Sequence, residues 1–219
     1  MIIQGQVGPT STNVSVAPGT NPAIRQGQLG EVIVSELHGR YYETTYRRNM
    51  FSGALSGATG ITASALGVVT ATAYTGLVLY NPPSSGFNLV LQKVGYSFPI
   101  APAAAVVVSL GQGFSSLPPQ TTTAVAAKNN FINGTTAAAS LYSVATFGIT
   151  TTAPVTTVPT HTLGWIGTVA ATSTSAAGSF IDLEGSIIIP PTGYVCMYLS
   201  TAAQTNGFFG SMAWEEVPV

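Results

Sequence analysis

Toward its C-terminal end the chain alternates apolar and polar residues. Ser179–Ile189 runs this way up to Pro190-Pro191-Thr192-Gly193, and two further apolar runs follow, Tyr194–Ser200 and Phe208–Val217. A period of two marks strands with one buried face, and a Pro-Pro-x-Gly break between two of them predicts an antiparallel hairpin. Similar runs lie upstream at Gly67–Tyr74, Gly76–Tyr80, Phe87–Phe98, Ala104–Leu110, Ala138–Phe147 and Thr162–Ala170. Turn chemistry separates them, most plainly in Asn81-Pro82-Pro83-Ser84-Ser85-Gly86 and Leu117-Pro118-Pro119. Glu31–Leu37 and Arg40–Arg48 also have the β-branched and aromatic composition of strands, with Gly39 between them. The lone helix candidate spans Asn49–Leu66, and Gly53, Gly57 and Gly60 argue against it. Many short strands without a repeat of roughly 20–50 residues imply an all-β sandwich or barrel, not a propeller or solenoid.

Residues 1–29 show no hydrophobic period and are rich in Pro, Gly, Gln, Asn, Thr and Ser. They read as an extended N-terminal arm, and residues 30–219 as a single β-sandwich domain. Met1–Gly5 has neither the basic nor the apolar region of a signal peptide. The longest apolar stretch, Ile100–Leu110, contains Pro102 and falls short of the about 20 residues of a membrane span. The mean hydropathy of +0.39 therefore reflects Ala and Val spread along the chain.

Charge changes the picture. Of 219 residues only 13 are charged, six Lys/Arg and seven Asp/Glu. That 6% compares with about 25% in ordinary soluble domains. A coiled coil is excluded, because it needs charge at a large share of its positions, and so is a highly charged disordered chain. With a net charge of -1 and no basic run, no nucleic-acid partner is expected. A compact monomer of this mass exposes about 9,400 Å², or roughly one charge per 700 Å² here. Soluble monomers intersperse charge to stay apart, so much of this surface is expected to be covered by other protein.

The few charges are also unevenly placed. Seven of the 13, Arg25, Glu31, Glu36, Arg40, Glu43, Arg47 and Arg48, fall within residues 25–48. From Asn49 to Ile181 the only ones are Lys93 and Lys128. Arg and Tyr combine large contact area with hydrogen bonding at interfaces. Arg40, Tyr41, Tyr42, Tyr46, Arg47 and Arg48, with Arg25 and Glu31, are therefore the candidate interface.

Catalytic chemistry has little to build on, and the chain reads as non-enzymatic. His38 and His161 are far apart in sequence, and His161 sits in a predicted loop, Val158-Pro159-Thr160-His161. Two isolated imidazoles do not make a metal site, and no metal or cofactor is expected. Asp182 and Glu184 lie two apart on a predicted strand and would share one face, as an exposed polar face or as partners of Arg40, Arg47 and Arg48. Glu215 and Glu216 are adjacent, so at most one of them is buried. Gly111-Gln112-Gly113 is a weak fragment of a dinucleotide fingerprint without its strand–helix context. The single cysteine, Cys196, lies in the apolar run Tyr194–Leu199 and reads as a buried small hydrophobe.

Two stretches carry a resemblance. Phe180-Ile181-Asp182-Leu183-Glu184-Gly185-Ser186-Ile187-Ile188-Ile189-Pro190-Pro191-Thr192-Gly193-Tyr194-Val195 and Gly207-Phe208-Phe209-Gly210-Ser211-Met212-Ala213-Trp214-Glu215-Glu216-Val217-Pro218 resemble the C-terminus of small cement, or decoration, proteins of tailed-bacteriophage capsids. The resemblance implies a jelly-roll β-sandwich, usually a homotrimer, on the capsid surface of a virion. It also implies an N-terminal portion that clamps neighbouring major capsid proteins. The other reading is a receptor- or glycan-binding head- or tail-fibre module, with Phe114, Phe131 or Trp165 as its site. A major shell protein is disfavoured because residues 1–24 carry no charge, where such shells use a basic arm.

Overall fold

A computed structural model describes residues 5–6, 24–25, 39–55, 61, 63, 74–102, 104–115, 119, 122–145, 158–167, 177–200 and 207–219. The chain divides into two units, Met1–Arg40 and Tyr41–Val219. In the first, β1 (Gly5–Gln6) pairs in parallel with β2 (Ile24–Arg25). The rest of the expected arm, and the expected strand Glu31–Leu37 with Glu31 and His38, lie outside the described residues.

Among the described residues, the second unit holds one short helix, α1 (Tyr42–Tyr46), and eleven strands: β3 (Met50–Ala54), β4 (Tyr74–Tyr80), β5 (Phe87–Phe98), β6 (Val106–Phe114), β7 (Thr122–Val125), β8 (Lys128–Asn129), β9 (Ser140–Ala145), β10 (Val158–Ile166), β11 (Ala177–Ile189), β12 (Gly193–Leu199) and β13 (Phe209–Pro218). They form two antiparallel sheets, ordered β10-β6-β12-β4-β9-β7 and β11-β5-β13-β3-β8. Four pairings nest inside one another: β3 with β13, β4 with β12, β5 with β11, and β6 with β10. Two more, β13 with β5 and β12 with β6, close the layers. A long antiparallel ribbon rolled up on itself gives this order, which is that of a jelly roll. Strands β7, β8 and β9 form an insertion between β6 and β10 that extends both sheets, β9 beside β4 and β8 beside β3.

Alternation explains the core. Leu77 and Leu79 on β4, Leu89 and Leu91 on β5, and Val195 and Met197 on β12 all enter one apolar cluster between the sheets. Trp214 is fully buried there and stacks on Phe51 at 6.2 Å, while Phe98 meets Phe208 edge-on at 5.4 Å. Burying side chains of this size contributes about 2–3 kcal/mol each. The alternate residues of β4 and β12 form a second buried cluster, Tyr74, Val78, Tyr80, Tyr194 and Cys196, on the other face of the six-stranded sheet.

Several sequence expectations are corrected. Pro190–Gly193 does not make a hairpin, because β11 and β12 belong to different sheets. The turn, closed by Gly193 N–H donating to Pro190 O, carries the chain from one layer to the other. Both faces of β12 are buried, which requires a central place between β6 and β4. Fully buried Asn81 fastens this corner, its amide donating to Phe87 O at 2.8 Å and Ile189 O at 2.9 Å. Arg40–Arg48, expected as a strand, contains α1 instead. Thr44 Oγ1 donates to Tyr41 O, Arg47 pairs with Glu43 at 2.7 Å one turn away, and Arg48 ends the helix at φ 64°. Over Asn49–Leu66, where the glycines argue against a helix, Met50–Ala54 forms β3, and this agrees with that reading. His161 sits within β10 and not in a loop.

Candidate functional site

The expected Arg/Tyr interface divides into parts that face different neighbours. Arg40 is exposed at the end of the first unit, and Arg25 lies in β2. In the second unit, Tyr42 and Tyr46 stand one turn apart on α1, and their rings stack at 5.8 Å. Tyr46 then meets the edge of Phe131 at 6.4 Å, and the Arg48 guanidinium lies 4.9 Å over that same ring. Asn129 Nδ2 donates to Arg48 O at 2.6 Å, so β8 is tied to the end of α1. Tyr42 and Tyr46 remain 43% and 59% exposed, leaving an aromatic and cationic ledge in solvent.

Tyr41 turns to other partners. Its hydroxyl donates to Asp182 Oδ1, and its ring lies 4.4 Å from Lys93 Nζ. Lys93 also approaches Asp182 at 3.9 Å and the Phe180 ring at 5.7 Å. The expectation that Asp182 and Glu184 share a strand face fails. The register between β11 and β5 shifts after Asp182, Glu184 takes φ 55°, and its N–H donates back to Asp182 Oδ1 at 2.9 Å. A looped-out residue breaks the alternation on which a shared face depends.

This cluster forms one end of a groove of about 590 Å³ across the outer face of the five-stranded sheet. Tyr41, Lys93 and Phe180 line that end, and Ser52, Lys128 and Asn130 line the other. The two lysines that stand alone in the middle of the sequence thus face one groove. Ser52 Oγ donates to Asn130 Oδ1 at 2.6 Å, and small side chains such as Ser211 and Ala213 form the floor. A Cβ on Gly95 would come within 2.8 Å of the Phe180 ring. The ring therefore lies against the sheet at the glycine, and Phe180 stays 65% exposed.

A second, apolar notch of about 380 Å³ is lined by Phe114, Ile188 and Pro190. Phe114 and Ile188 are 62% and 60% exposed, and Trp165 on β10 is 68% exposed. No family model, curated protein or solved structure matches the chain.

Among the described residues, no three His, Cys, Asp or Glu side chains gather as a metal site would require. Phe114, Phe131 and Trp165 do not converge either. Trp165 pairs with Val107, seven residues from Phe114 along β6, which is roughly 23 Å of strand, and Phe131 packs under Tyr46 and Arg48.

Sequence reasoning missed the role of Glu216. It is buried, and its carboxylate accepts from Ala138 N–H at 2.8 Å and Ala139 N–H at 2.9 Å, fastening the insertion to β13. Its neighbour Glu215 faces the other way and is partly exposed; desolvation raises its carboxyl above the ordinary value, against a lowering bond from Gln92. Burial pushes the Cys196 thiol up to about 12 and holds it neutral.

Proposed function

We propose that the chain is a non-enzymatic virion structural protein, a cement protein on the capsid surface of a tailed phage. It assembles as a homotrimer and bridges copies of the major capsid protein. The observation that carries this reading is large apolar side chains left in solvent on a jelly roll with little charge. Trp165, Phe114 and Ile188 are each about two-thirds exposed on β10, β6 and β11, and β10 and β11 are the strands where the two sheets end on that side. Covering such a side chain is worth about 1.5–3 kcal/mol. Rotational symmetry repeats the gain at each subunit contact, and a standard interface needs about 800 Å² per partner.

The mechanism is mechanical. Area buried between a cement subunit and two capsid subunits adds to the work of separating them, which resists pressure from packaged nucleic acid. Residues 1–29 act as the tether to the capsid in this reading. The Tyr42–Tyr46–Arg48–Phe131 ledge supplies hydrogen bonds and cation–π contacts at a specific partner.

Co-sedimentation with expanded tailed-phage heads tests the proposal. Saturable attachment is expected for the full chain, with loss of attachment but an unchanged oligomer after removal of residues 1–29. An absence of saturable attachment overturns the cement role, and undiminished attachment of the shortened chain overturns the tether.

A further inference from the structure

We infer that the groove across the outer face of the five-stranded sheet binds an anionic oligosaccharide. Phe180 stacks on a sugar ring, and Lys93 and Lys128 take the acidic groups. The site lies wholly within Tyr41–Val219 and does not depend on the assembly role. Its volume of about 590 Å³ sits inside the roughly 300–1,000 Å³ typical of ligand sites.

Three features fix the chemistry of the occupant. The first is the aromatic platform. Gly95 has no side chain, so the Phe180 ring can lie close to the sheet and leave 65% of the residue in solvent. Flat, open rings of this kind suit the C–H face of a pyranose. A second depression, lined by Ser97, Ser179 and Phe209, adjoins the groove, and Phe180 and Ser211 border both. The platform thus has room on two sides.

The second feature is the charge pattern. Lys93 is on β5 and Lys128 on β8, three strand spacings apart in the order β5-β13-β3-β8. That is about 14 Å, the reach of a few linked sugar residues. Lys93 is held between the Tyr41 and Phe180 rings with Asp182 beside it, while Lys128 is exposed and makes no ion pair among the described residues. Acidic groups spaced along the ligand match this arrangement. A neutral sugar would leave the Lys128 ammonium without a partner, whereas Lys93 already has Asp182 beside it. Between the lysines, Ser52, Ser211 and Asn130 present hydroxyl and amide groups of the kind that meet sugar hydroxyls.

The third feature is direction. The lining comes from β11, β5, β13, β3 and β8, so the groove crosses the strands. A peptide that adds to a sheet does so along an edge, where backbone donors and acceptors are unpaired. In the middle of this sheet those groups are already engaged. Two lysines are also too few for a nucleic-acid backbone, which requires many neutralised phosphates.

Titration calorimetry on the full-length chain tests the inference, with tetragalacturonate and a chondroitin-sulfate tetrasaccharide as probes. Maltotetraose and a short poly-glutamate peptide serve as comparisons. At least one acidic sugar should bind saturably, and maltotetraose at least about tenfold more weakly. Phe180→Ala should weaken binding about tenfold, and Lys128→Gln about fivefold with a shallower salt dependence. Both side chains are exposed, so their thermal midpoints should stay at that of the parent chain, which separates lost binding from lost folding. Failure of both acidic sugars to bind overturns the inference. So does binding that survives both substitutions, or poly-glutamate binding as tightly with the same sensitivity to Phe180.

Discussion

The two sheets of this jelly roll use their outer faces in opposite ways. On the six-stranded sheet, β4 and β12 direct Tyr74, Val78, Tyr80, Tyr194 and Cys196 outward from the core, yet all five are buried. Glycines receive the rings: a Cβ on Gly113 would stand 2.5 Å from the Tyr194 hydroxyl. On the five-stranded sheet, Lys93, Phe180 and Asp182 face solvent above a floor of small residues. Gly95 supports Phe180 just as Gly113 supports Tyr194. One packing device, an aromatic ring over a glycine, thus builds a dry layer on one sheet and an open platform on the other. What differs is whether protein covers the ring, and charge follows that difference. Lys93 and Lys128 are on the open face, and the buried cluster contains no charged side chain.

The largest expected break in this comparison comes from removing a ring on each face. Tyr194→Ala should cost about 3–5 kcal/mol in urea unfolding. Phe180→Ala should stay within about 0.5 kcal/mol, as exposed substitutions do. Similar losses at the two sites would dissolve the distinction. Next is Glu216→Ala, expected to cost about 2–3 kcal/mol because it strands the buried N–H groups of Ala138 and Ala139. Glu216→Gln keeps an acceptor oxygen and should cost less than half as much in the same measurement.

Adding a methyl group under each ring gives a smaller contrast. Gly113→Ala should lose about 1–3 kcal/mol, since the buried Tyr194 ring has nowhere to go. Gly95→Ala should lose less than about 1 kcal/mol, because the Ser211 hydroxyl, 2.6 Å from the added methyl, can rotate and the Phe180 ring can swing into solvent, and thermal midpoints would rank the two.

Cys196 gives the smallest effect at neutral pH. Its thiol is raised from 9.0 to about 12 by burial, so the neutral form is the one the fold accepts. That part of the stability is complete below about pH 9. It is lost as the pH climbs toward 12, because the unfolded chain releases a proton that the folded chain retains. Burial raises the Tyr74 phenol well above 10.0 and adds in the same direction at higher pH. Cys196→Ala should flatten the decline between about pH 9 and 12, and the parent thiol should not react with a thiol reagent at pH 8 until denaturant is added. Rapid native-state labelling would contradict a covered face.

Much of the fold was legible from alternation. Phe87–Phe98 is β5 to the residue, and the expected Ser179–Ile189 and Phe208–Val217 runs match β11 and β13 within two residues. The local pattern could not show that Pro190–Gly193 turns between layers, because a hairpin and a sheet crossing use the same turn residues. Tyr and Thr in Arg40–Arg48 favour a strand by propensity, but short-range bonds from Thr44 and Arg47 close a helical turn. Strands β7 and β8 escaped notice because they are short and mostly exposed, so no apolar alternation marks them. The charge map pointed to Lys93 and Lys128 as isolated positions. That they share a groove depends on sheet order, which a single sequence does not display.

In the proposed assembly, the large apolar side chains left in solvent on this charge-poor chain, Trp165, Phe114 and Ile188, are covered by neighbouring copies and capsid subunits. Sedimentation equilibrium of the full chain at micromolar concentration tests it most directly. One species at three times the 22.4 kDa chain mass is expected, and Trp165→Asp should shift it toward single chains. A clean monomer across that range would contradict it.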